Sequence, residues 1–452
     1  MNRFILHPPK LGAQTVTFAW DVEPSSELYR KPQFTLRFPE TIDLAQVPGG
    51  LWARIALICL HPHWVLLRPC RVELPFRLEA GETGFWHRLM DAGAATLEAY
   101  RGGKHTPEQV EILESGPPLP RFERLSEGGR CATSFSGGKD SLLQTGLLTE
   151  LTSRPVLVTT TSPQPPKEDH DTARRRHVLR EIANRRDVTL VEVESDYRGN
   201  LDNDFPRRLG HVVWTNELTD TFLYFSSLLA SGVALGATHL FMASEAEVQE
   251  NIELNGSIVQ HPHFMYSAVT QRALQELLSP LGLRFGSLTS PLYSCQVQEL
   301  LWTRYRDLRD LQYSCWKVKG SQAVCSRCRQ CLKIAFCALA LGDDPSLIGI
   351  DMVKLLNAMR GWAPKNVPVS GKPVLPNVTG SARNSTQVAR HIAATSPSGI
   401  VKAIAGRSPA RLLWPWTWLA LASYVRLRHR AVKHRPGEPP GYRTGYLRLL
   451  DP

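Results

Sequence analysis

The sequence lacks the two patterns that would carry a chain into or across a membrane. Its first residues, MNRFILHP, do not show the basic stretch followed by an apolar stretch that marks a secretory signal. Its longest apolar run, residues 412–425, is too short to span a bilayer and contains Pro415. We therefore expect a globular cytoplasmic protein with no transmembrane segment.

Cysteine is scarce and unevenly distributed. Nine cysteines in 452 residues are too few for a disulfide scaffold. Several of them lie close together after residue 314, which favours metal binding in a reducing compartment. We expect the five cysteines outside that group to be ordinary buried thiols: Cys59, Cys70, Cys131, Cys295 and Cys337.

Acidic residues are in short supply at the C-terminal end. The whole chain carries 53 basic and 42 acidic residues, a net charge of +11. Residues 401–452 hold ten Lys or Arg but only Glu438 and Asp451, so this tail supplies +8 (10 minus 2) of that excess. Such a tail is able to contact nucleic acid, an acidic partner or a membrane surface, but most charge of this kind is only solvated, and we do not favour a nucleic-acid partner.

Residues 1–125 are predicted to form a strand-rich N-terminal module. Three short segments rich in β-branched and aromatic residues predict strands: residues 15–20, 33–38 and 52–58. A helical pattern follows over residues 84–100. The His61-Pro62-His63 tripeptide is interpreted as a turn and not as a pair of metal ligands. Residues 114–120 are interpreted as a linker.

Strand and helix patterns alternate after residue 126. Strands are predicted at residues 156–160, 188–193 and 239–243, with helices at residues 140–151, 171–184 and 217–235. This alternation predicts an α/β domain over residues 126–345, a doubly wound parallel sheet with helices on both faces. Residues 346–452 are predicted to form a helical, basic extension. Ligands bind beyond the carboxyl ends of such strands, so Thr159 and Ala243 are candidate binding residues.

A glycine-rich loop, SFSGGKDS, joins a predicted strand to a predicted helix. Gly137 and Gly138 allow a tight turn whose amide N–H groups face an anion, and Ser136 and Ser141 add hydroxyls. The helix start adds its positive dipole end, so the loop is a candidate pyrophosphate site. It is not a Walker A loop, because Gly138-Lys139 is followed by an aspartate where that motif has Ser or Thr. A purely structural glycine turn is the alternative.

The second constellation is a group of four cysteines. Cys315 is followed by Cys325, Cys328 and Cys331 in a C-x2-C-x2-C pattern. Four thiolates at this spacing are able to close a tetrahedral, structural Zn²⁺ site. An iron–sulfur cluster and a set of reduced core thiols are the alternatives.

The two motifs together carry a resemblance. Residues 136–141, SGGKDS, resemble the SGGxDS loop of the N-type ATP pyrophosphatases, which cleave ATP between its α and β phosphates. The loop followed by Ser-Cys-Trp and C-x2-C-x2-C is similar to the 7-cyano-7-deazaguanine synthases, the QueC-type enzymes of queuosine precursor synthesis. The resemblance covers about residues 130–340 and implies an adenine nucleotide alpha-hydrolase-like fold with ATP, Mg²⁺ and Zn²⁺ as cofactors. The extensions on both sides resemble those of QueC-like proteins from antiviral operons.

The resemblance also implies roles for particular residues. Ser136, Gly138 and Ser141 would contact phosphate, with Gly137 forming the turn. Asp140 would orient the metal or the loop, and Asp140 and Ser141 are the candidate catalytic residues. For Lys139 a phosphate contact and a solvent-facing role are both open. The substrate would be a deazapurine carboxylate, and the amine acceptor either ammonia or a protein.

One segment departs from the family. The family carries Tyr-Pro-Asp-Cys where this chain has Met-Ala-Ser-Glu-Ala-Glu and, later, His261-Pro262-His263. The acyl substrate is therefore open. Two other functions also stay open, an RNA-modifying thiolase of the same loop family and a nucleotide-binding adaptor without enzymatic activity. The sequence gives neither the partner nor the oligomeric state.

Overall fold

The structure is a computed structural model. It describes residues 1–101, 110–120, 129–162, 170–211, 213–246, 252–254, 257–259, 268–292, 294–313, 315, 324–328, 330–331, 334–335, 338 and 343–360. The predicted basic tail and its apolar run, His261, His263 and Cys337 lie outside the described residues.

Eleven strands form one mostly parallel sheet, which confirms the predicted α/β class. The strands are β1 (Asn2–Leu6), β2 (Lys10–Leu11), β3 (Thr15–Glu23), β4 (Gln33–Arg37), β5 (Cys70–Leu74), β6 (Val110–Glu114), β7 (Arg130–Ser134), β8 (Val156–Thr161), β9 (Thr189–Ser195), β10 (Ala237–Met242) and, after a separate hairpin of β11 (Ile252–Leu254) and β12 (Ser257–Val259), β13 (Arg284–Gly286). Their order is β13-β10-β7-β8-β9-β4-β3-β1-β5-β6, with β2 paired to β3.

Nine described helices accompany the strands. They are α1 (Gly49–Leu66), α2 (Glu82–Arg101), α3 (Lys139–Leu151), α4 (His170–Arg185), α5 (Phe205–Arg208), α6 (Thr215–Ala234), α7 (Ala268–Leu278), α8 (Ser294–Thr303) and α9 (Met352–Arg360). Every strand and helix predicted between residues 140 and 243 is present, with ends that differ by at most two residues.

The five strands from β13 to β9 are parallel and are covered on both faces. Helices α3, α4 and α8 contribute to one apolar core, and α1, α6 and α7 contribute to the other. Strand β8 is buried along its whole length, as expected for an inner parallel strand with helices above and below it. The chain runs from β7 through β8 to β9 on one side, then returns through α6 to β10 on the other side of β7. The strand order therefore reverses at β7. In open α/β sheets ligands bind at such a point, beyond the carboxyl ends of the strands.

The N-terminal strands continue the same sheet. Strand β4 pairs antiparallel with β9, through Leu36 opposite Ser195 and Arg37 opposite Glu194. The backbone N–H of Thr35 also donates to Asp196 Oδ1 at 2.7 Å. Residues on both sides of position 125 thus share a sheet and a core, while the domain boundary itself stays a prediction.

Two predictions in the N-terminal part are wrong. Residues 52–58 form no strand, and His61-Pro62-His63 forms no turn, because both lie inside helix α1. Pro62 has no N–H for the carbonyl of Ile58, one helical turn earlier. The ring of His61 replaces it, since its Nδ1 donates to Ile58 O at 2.9 Å. The helix therefore continues through the proline.

The predicted C-terminal extension is described only as far as residue 360. Its first part packs against the rest of the protein, since Ile348, Ile350 and Leu355 belong to the core that also contains the four cysteines. Asp351 caps the start of α9, where its Oδ1 accepts from the N–H groups of Val353 and Lys354.

Candidate functional site

The glycine loop leaves the carboxyl end of β7 and leads directly into α3. Gly137 has φ +80°, a conformation that only glycine adopts without strain, and Gly138 is the N-cap of the helix. No side chain of the described residues caps this N-terminus. The N-terminus of a helix attracts anions through its backbone N–H groups and the positive end of its dipole.

The serine hydroxyls lie at the rim of the loop. Ser141 Oγ donates to the carbonyl oxygen of Gly138 at 3.0 Å, and Ser136 Oγ lies 3.4 Å from Ser141 Oγ. The N–H of Gly138 is 3.5 Å from Ser136 Oγ, a long contact that an incoming acceptor is able to replace. The loop thus groups two hydroxyls and a backbone donor beside the N-terminus of α3.

Lys139 does not face solvent, so that alternative is wrong. Its side chain is 2% exposed, and its ammonium contacts Asp140 Oδ1 at 2.7 Å and also Glu245 Oε1. Burial alone would lower the pKa of Lys139, but the two carboxylates more than offset it and hold the pKa above its ordinary value. Lys139 is therefore charged, and it joins the loop to the segment that follows β10.

The segment after β10 is fixed by hydroxyl groups. The N–H of Ser244 donates to Ser287 Oγ at 2.9 Å, and the carbonyl of Ser244 accepts from the hydroxyls of Ser287 and Thr289. Ala243 precedes this segment and is half-buried. These bonds hold Glu245 at the carboxyl end of β10, opposite the loop.

Thr159 lies at the carboxyl end of β8, next to the loop. The N–H of Phe135 donates to the carbonyl of Val158 at 2.7 Å, which places the start of the loop beside Thr159. The Oγ1 of Thr159 is buried and has no hydrogen-bond partner among the described residues. An unsatisfied buried hydroxyl is costly, so a bound polar ligand or water is the expected partner.

The four cysteines come together as predicted. All are buried, and their Sγ atoms lie within 4.8 Å of one another. A tetrahedral ion with Zn–S bonds of about 2.3 Å separates its sulfurs by about 3.8 Å, and the Cys325–Cys331 and Cys315–Cys328 Sγ pairs are 3.8 and 3.9 Å apart. An iron–sulfur cluster places several ions between its ligands and spaces them further apart. The group therefore fits a single ion such as Zn²⁺.

The surroundings of the cysteines also suit thiolates. The N–H of Cys325 donates to Cys315 Sγ, and the N–H of Cys331 donates to Cys328 Sγ. Such bonds stabilise negative charge on the sulfurs. The contact with Cys315 is the largest cause that raises the pKa of Cys328, to about 11, and a cation among the sulfurs has the opposite effect. Of the cysteines expected elsewhere, Cys59, Cys70 and Cys131 are buried, and the side chain of Cys295 lies outside the described residues.

Two residues for which the sequence predicts no role also contact the loop. Glu245 contacts Lys139, and Tyr313 donates its backbone N–H to the carbonyl of Gly137 at 2.9 Å. Glu245 follows a predicted strand end, which is a detectable signal. The hydrogen bond from Tyr313 is made by its backbone N–H, so no pattern of side chains in the sequence predicts it.

Among the described residues, no helix combines the length and apolar character needed to cross a bilayer. No protein-family model matches the chain, and no curated protein matches it. The fold and the site define a class: an α/β protein with a glycine loop at the reversal point of its sheet and a buried four-cysteine group able to hold a metal ion.

Proposed function

We propose that this chain is an ATP-dependent C–N ligase similar to the 7-cyano-7-deazaguanine synthases. It would adenylate the carboxylate of a 7-deazaguanine acid and pass the acyl group to an amine. The observation that carries the proposal is the contact between its two motifs. The SGGKDS loop lies at the reversal point of the sheet, and its Gly137 accepts a hydrogen bond from the segment that leads into the four cysteines.

The reaction needs ATP because a carboxylate has no good leaving group. Oxide is too poor a leaving group for an amine to displace. A carboxylate oxygen therefore attacks the α-phosphorus of ATP, the bond to the bridging oxygen breaks, and pyrophosphate departs with the electron pair. The amine then attacks the acyl carbon, AMP leaves, and the amine proton passes to solvent. With ammonia, a second ATP would activate the amide for loss of water to a nitrile; with a protein amine, the reaction would stop at the amide.

The chain's own residues would serve this reaction by position and charge. The N–H of Gly138 and the first turn of α3, with the hydroxyls of Ser136 and Ser141, would bind the departing pyrophosphate. Thr159 and Ala243, at the ends of the two strands beside β7, would border the nucleoside.

Magnesium has a fitting donor set here. Asp140 and Glu245 present carboxylates to the same ammonium, and carboxylate oxygen is the ligand type that Mg²⁺ prefers. When bound, Mg²⁺ supplies positive charge beside the pyrophosphate. The four cysteines would hold Zn²⁺ in a structural role.

The test is an incubation with ATP, Mg²⁺ and 7-carboxy-7-deazaguanine, with and without ammonia or proteins encoded nearby. We expect pyrophosphate release that depends on the acid, and a nitrile or a protein conjugate by mass spectrometry. Asp140→Asn should lower the rate about 100-fold, whereas Asp204→Asn, at an exposed position, serves as the matched control.

The other outcomes point to other functions. Release that depends on RNA would favour the thiolase, and ATP binding without any release would favour the adaptor. An equal rate for the Asp140 variant and the control would remove the glycine loop from the reaction. Membership of an antiviral operon is a part of the proposal that rests on resemblance alone.

A further inference from the structure

The glycine loop and the four cysteines are joined by a very short piece of chain. Tyr313 donates its N–H to Gly137 O at 2.9 Å, and two residues later Cys315 accepts a hydrogen bond from the N–H of Cys325. Two residues span at most about 7 Å. We call Gln312, Tyr313 and Cys315 the connecting segment. A shift of the cysteine group is thus transmitted to the loop with little slack.

The connecting segment is held firmly from the side of α8. Gln312 and Gln298 exchange two amide hydrogen bonds, at 2.7 and 3.0 Å, and Trp302 Nε1 donates to Gln312 Oε1 at 2.9 Å. All three side chains are almost completely buried. Breaking one of these hydrogen bonds costs free energy, because it would leave an unsatisfied polar group in the core.

The bond from Tyr313 fixes more than one atom of the loop. The carbonyl of Gly137 and the N–H of Gly138 belong to the same planar trans peptide, so they point in opposite directions. By holding the carbonyl, Tyr313 aims the N–H of Gly138 toward Ser136 Oγ and the open side of the loop. Gly137 has φ +80° and no side chain, so little else restrains this peptide.

We infer that the connecting segment makes the four-cysteine group a regulator of the glycine loop: a metal ion held by the cysteines fixes the direction of the Gly138 N–H and raises affinity for pyrophosphate groups. The inference rests on the proposed function. Loss of the ion frees Cys315, the connecting segment loosens, and the Gly137–Gly138 peptide rotates. Coupling of this kind is reciprocal, so pyrophosphate must tighten metal binding by the same factor.

The first measurement needs no nucleotide. Amide hydrogen exchange of the peptide that contains residues 134–142 is compared in the protein loaded with Zn²⁺ and in the protein treated with a chelator. We expect faster exchange at the loop after metal removal, with strand β1 unchanged as the internal reference for an intact fold. Equal exchange of the loop in both samples would overturn the inference, whatever ATP does.

A variant that keeps the metal separates coupling from unfolding. Gln312→Leu removes the amide pair while leaving all four cysteines in place. Gln275→Leu is the matched control, because the Gln275 amide also bonds buried groups, the N–H of Phe285 among them, but at the α7–β13 junction. In the Zn²⁺-loaded protein, Gln312→Leu should weaken binding of inorganic pyrophosphate about tenfold and speed exchange at the loop. Equal effects of the two variants would reduce Gln312 to a general packing role.

The reciprocal measurement asks whether pyrophosphate changes the affinity of the cysteines for Zn²⁺. Zn²⁺ affinity is measured with a competing chromophoric chelator, with and without pyrophosphate and Mg²⁺. We expect pyrophosphate to raise Zn²⁺ affinity about tenfold in the parent protein and by clearly less in Gln312→Leu. If pyrophosphate and ATP do not bind at all but the loop responds to metal, the proposed function and the affinity part of the inference fail, and only the structural link between the cysteines and the loop stands. If both bind and Zn²⁺ affinity does not change, the coupling fails and the proposed function stands.

Discussion

Lys139 holds two carboxylates together in a place where little water reaches them. Asp140 and Glu245 are 26% and 16% exposed, and their shared ammonium is 2% exposed. Removing one member of a buried charge group leaves the others uncompensated, which costs more than the pair itself contributes. The ammonium therefore neutralises the same two carboxylates that the proposed magnesium site would use.

Lys139→Met should expose this competition. Without Mg²⁺ we expect the free energy of unfolding to fall by about 2 kcal/mol, less than for fully buried charges because both carboxylates are partly exposed. Added Mg²⁺ should recover part of the loss, since a cation then replaces the ammonium. Urea unfolding at several Mg²⁺ concentrations measures both effects. Lys10→Met, at an exposed strand position, is the control, and a variant indifferent to Mg²⁺ would argue against a metal site at these carboxylates.

His63 is fixed in one tautomer by its neighbours. The hydroxyl of Tyr197 donates to the carbonyl of Cys59, so it must accept from His63 Nε2, and Nδ1 must then accept from the hydroxyl of Tyr29. Burial, with a smaller contribution from His61, lowers the pKa of His63 from 6.5 to about 3. The folded protein thus keeps this ring neutral.

Because the folded protein keeps His63 neutral, the free energy of unfolding depends on pH. Between pH 6.5 and about 3 only the unfolded chain protonates His63, so the free energy of unfolding falls as pH drops through that range. His63→Gln keeps a donor and an acceptor but no titration, and it should flatten the slope by about 1.4 kcal/mol per pH unit. Urea unfolding from pH 7 to 4 tests this against His7→Gln at an exposed site. Parallel curves for both variants and the parent would show that His63 already titrates normally.

The contact between α3 and the chain after α8 depends on one glycine. A Cβ at Gly146 would lie 2.6 Å from the ring of Tyr305, which is itself buried. At this distance either the ring or the helix would have to shift, and the ring is itself packed in the core.

Gly146→Ala should therefore lower the free energy of unfolding by about 2 kcal/mol, although alanine is the better helix former. Gly84→Ala in α2 is the matched control, because its Cβ would meet only the end of Arg88 at 3.7 Å. That control should be neutral or stabilising by up to about 1 kcal/mol. Thermal unfolding compares the pair, and equal shifts would mean that Tyr305 moves aside freely.

The helices and strands between residues 140 and 243 could be predicted because each has its own hydrophobic pattern over a short stretch of sequence. Apolar strands that alternate with amphipathic helices such as α4 can be recognised from the spacing of apolar residues over a short stretch of sequence. Helix α1 could not be recognised, because it is buried on all sides and its apolar residues show no helical period. A run such as residues 52–58 then looks like a strand, and Pro62 looks like a break. The contact of His61 with Ile58 O, which takes the place of the missing N–H of Pro62, is visible only in the structure.

Some residues of the candidate site could likewise be predicted from the sequence, and others could not. The loop and the cysteines are motifs, so their residues could be predicted from spacing. Glu245 joins Lys139 from 106 residues away along the chain, and Tyr313 reaches Gly137 through its main chain. Such contacts depend on the strand order, which no local pattern encodes.

At the scale of the whole molecule, one sheet joins the two parts of the chain. Strand β4 covers the edge of β9, and α1 packs on α6. Cutting the chain at residue 126 would expose that edge and a large apolar surface at once.

We therefore expect residues 126–452 alone to fail to fold cooperatively. The expected result is a broad urea transition and strong binding of a hydrophobic dye, while the full chain keeps a steep transition. Asp196→Ala in the full chain, which frees only the N–H of Thr35, should cost about 1 kcal/mol and keep the steep transition. A fragment that unfolds as steeply as the full chain would show that the N-terminal strands are a removable addition.

The position of β4 also limits how copies of this protein are able to associate. With β9 covered, the outer strands of the described sheet are β6 and β13. Strand β13 is only three residues long, and β6 carries Glu111 and Glu114. Short and charged border strands resist the main-chain pairing that leads to fibres. Both border strands of the described sheet are therefore poor templates for pairing with the sheet of a second copy.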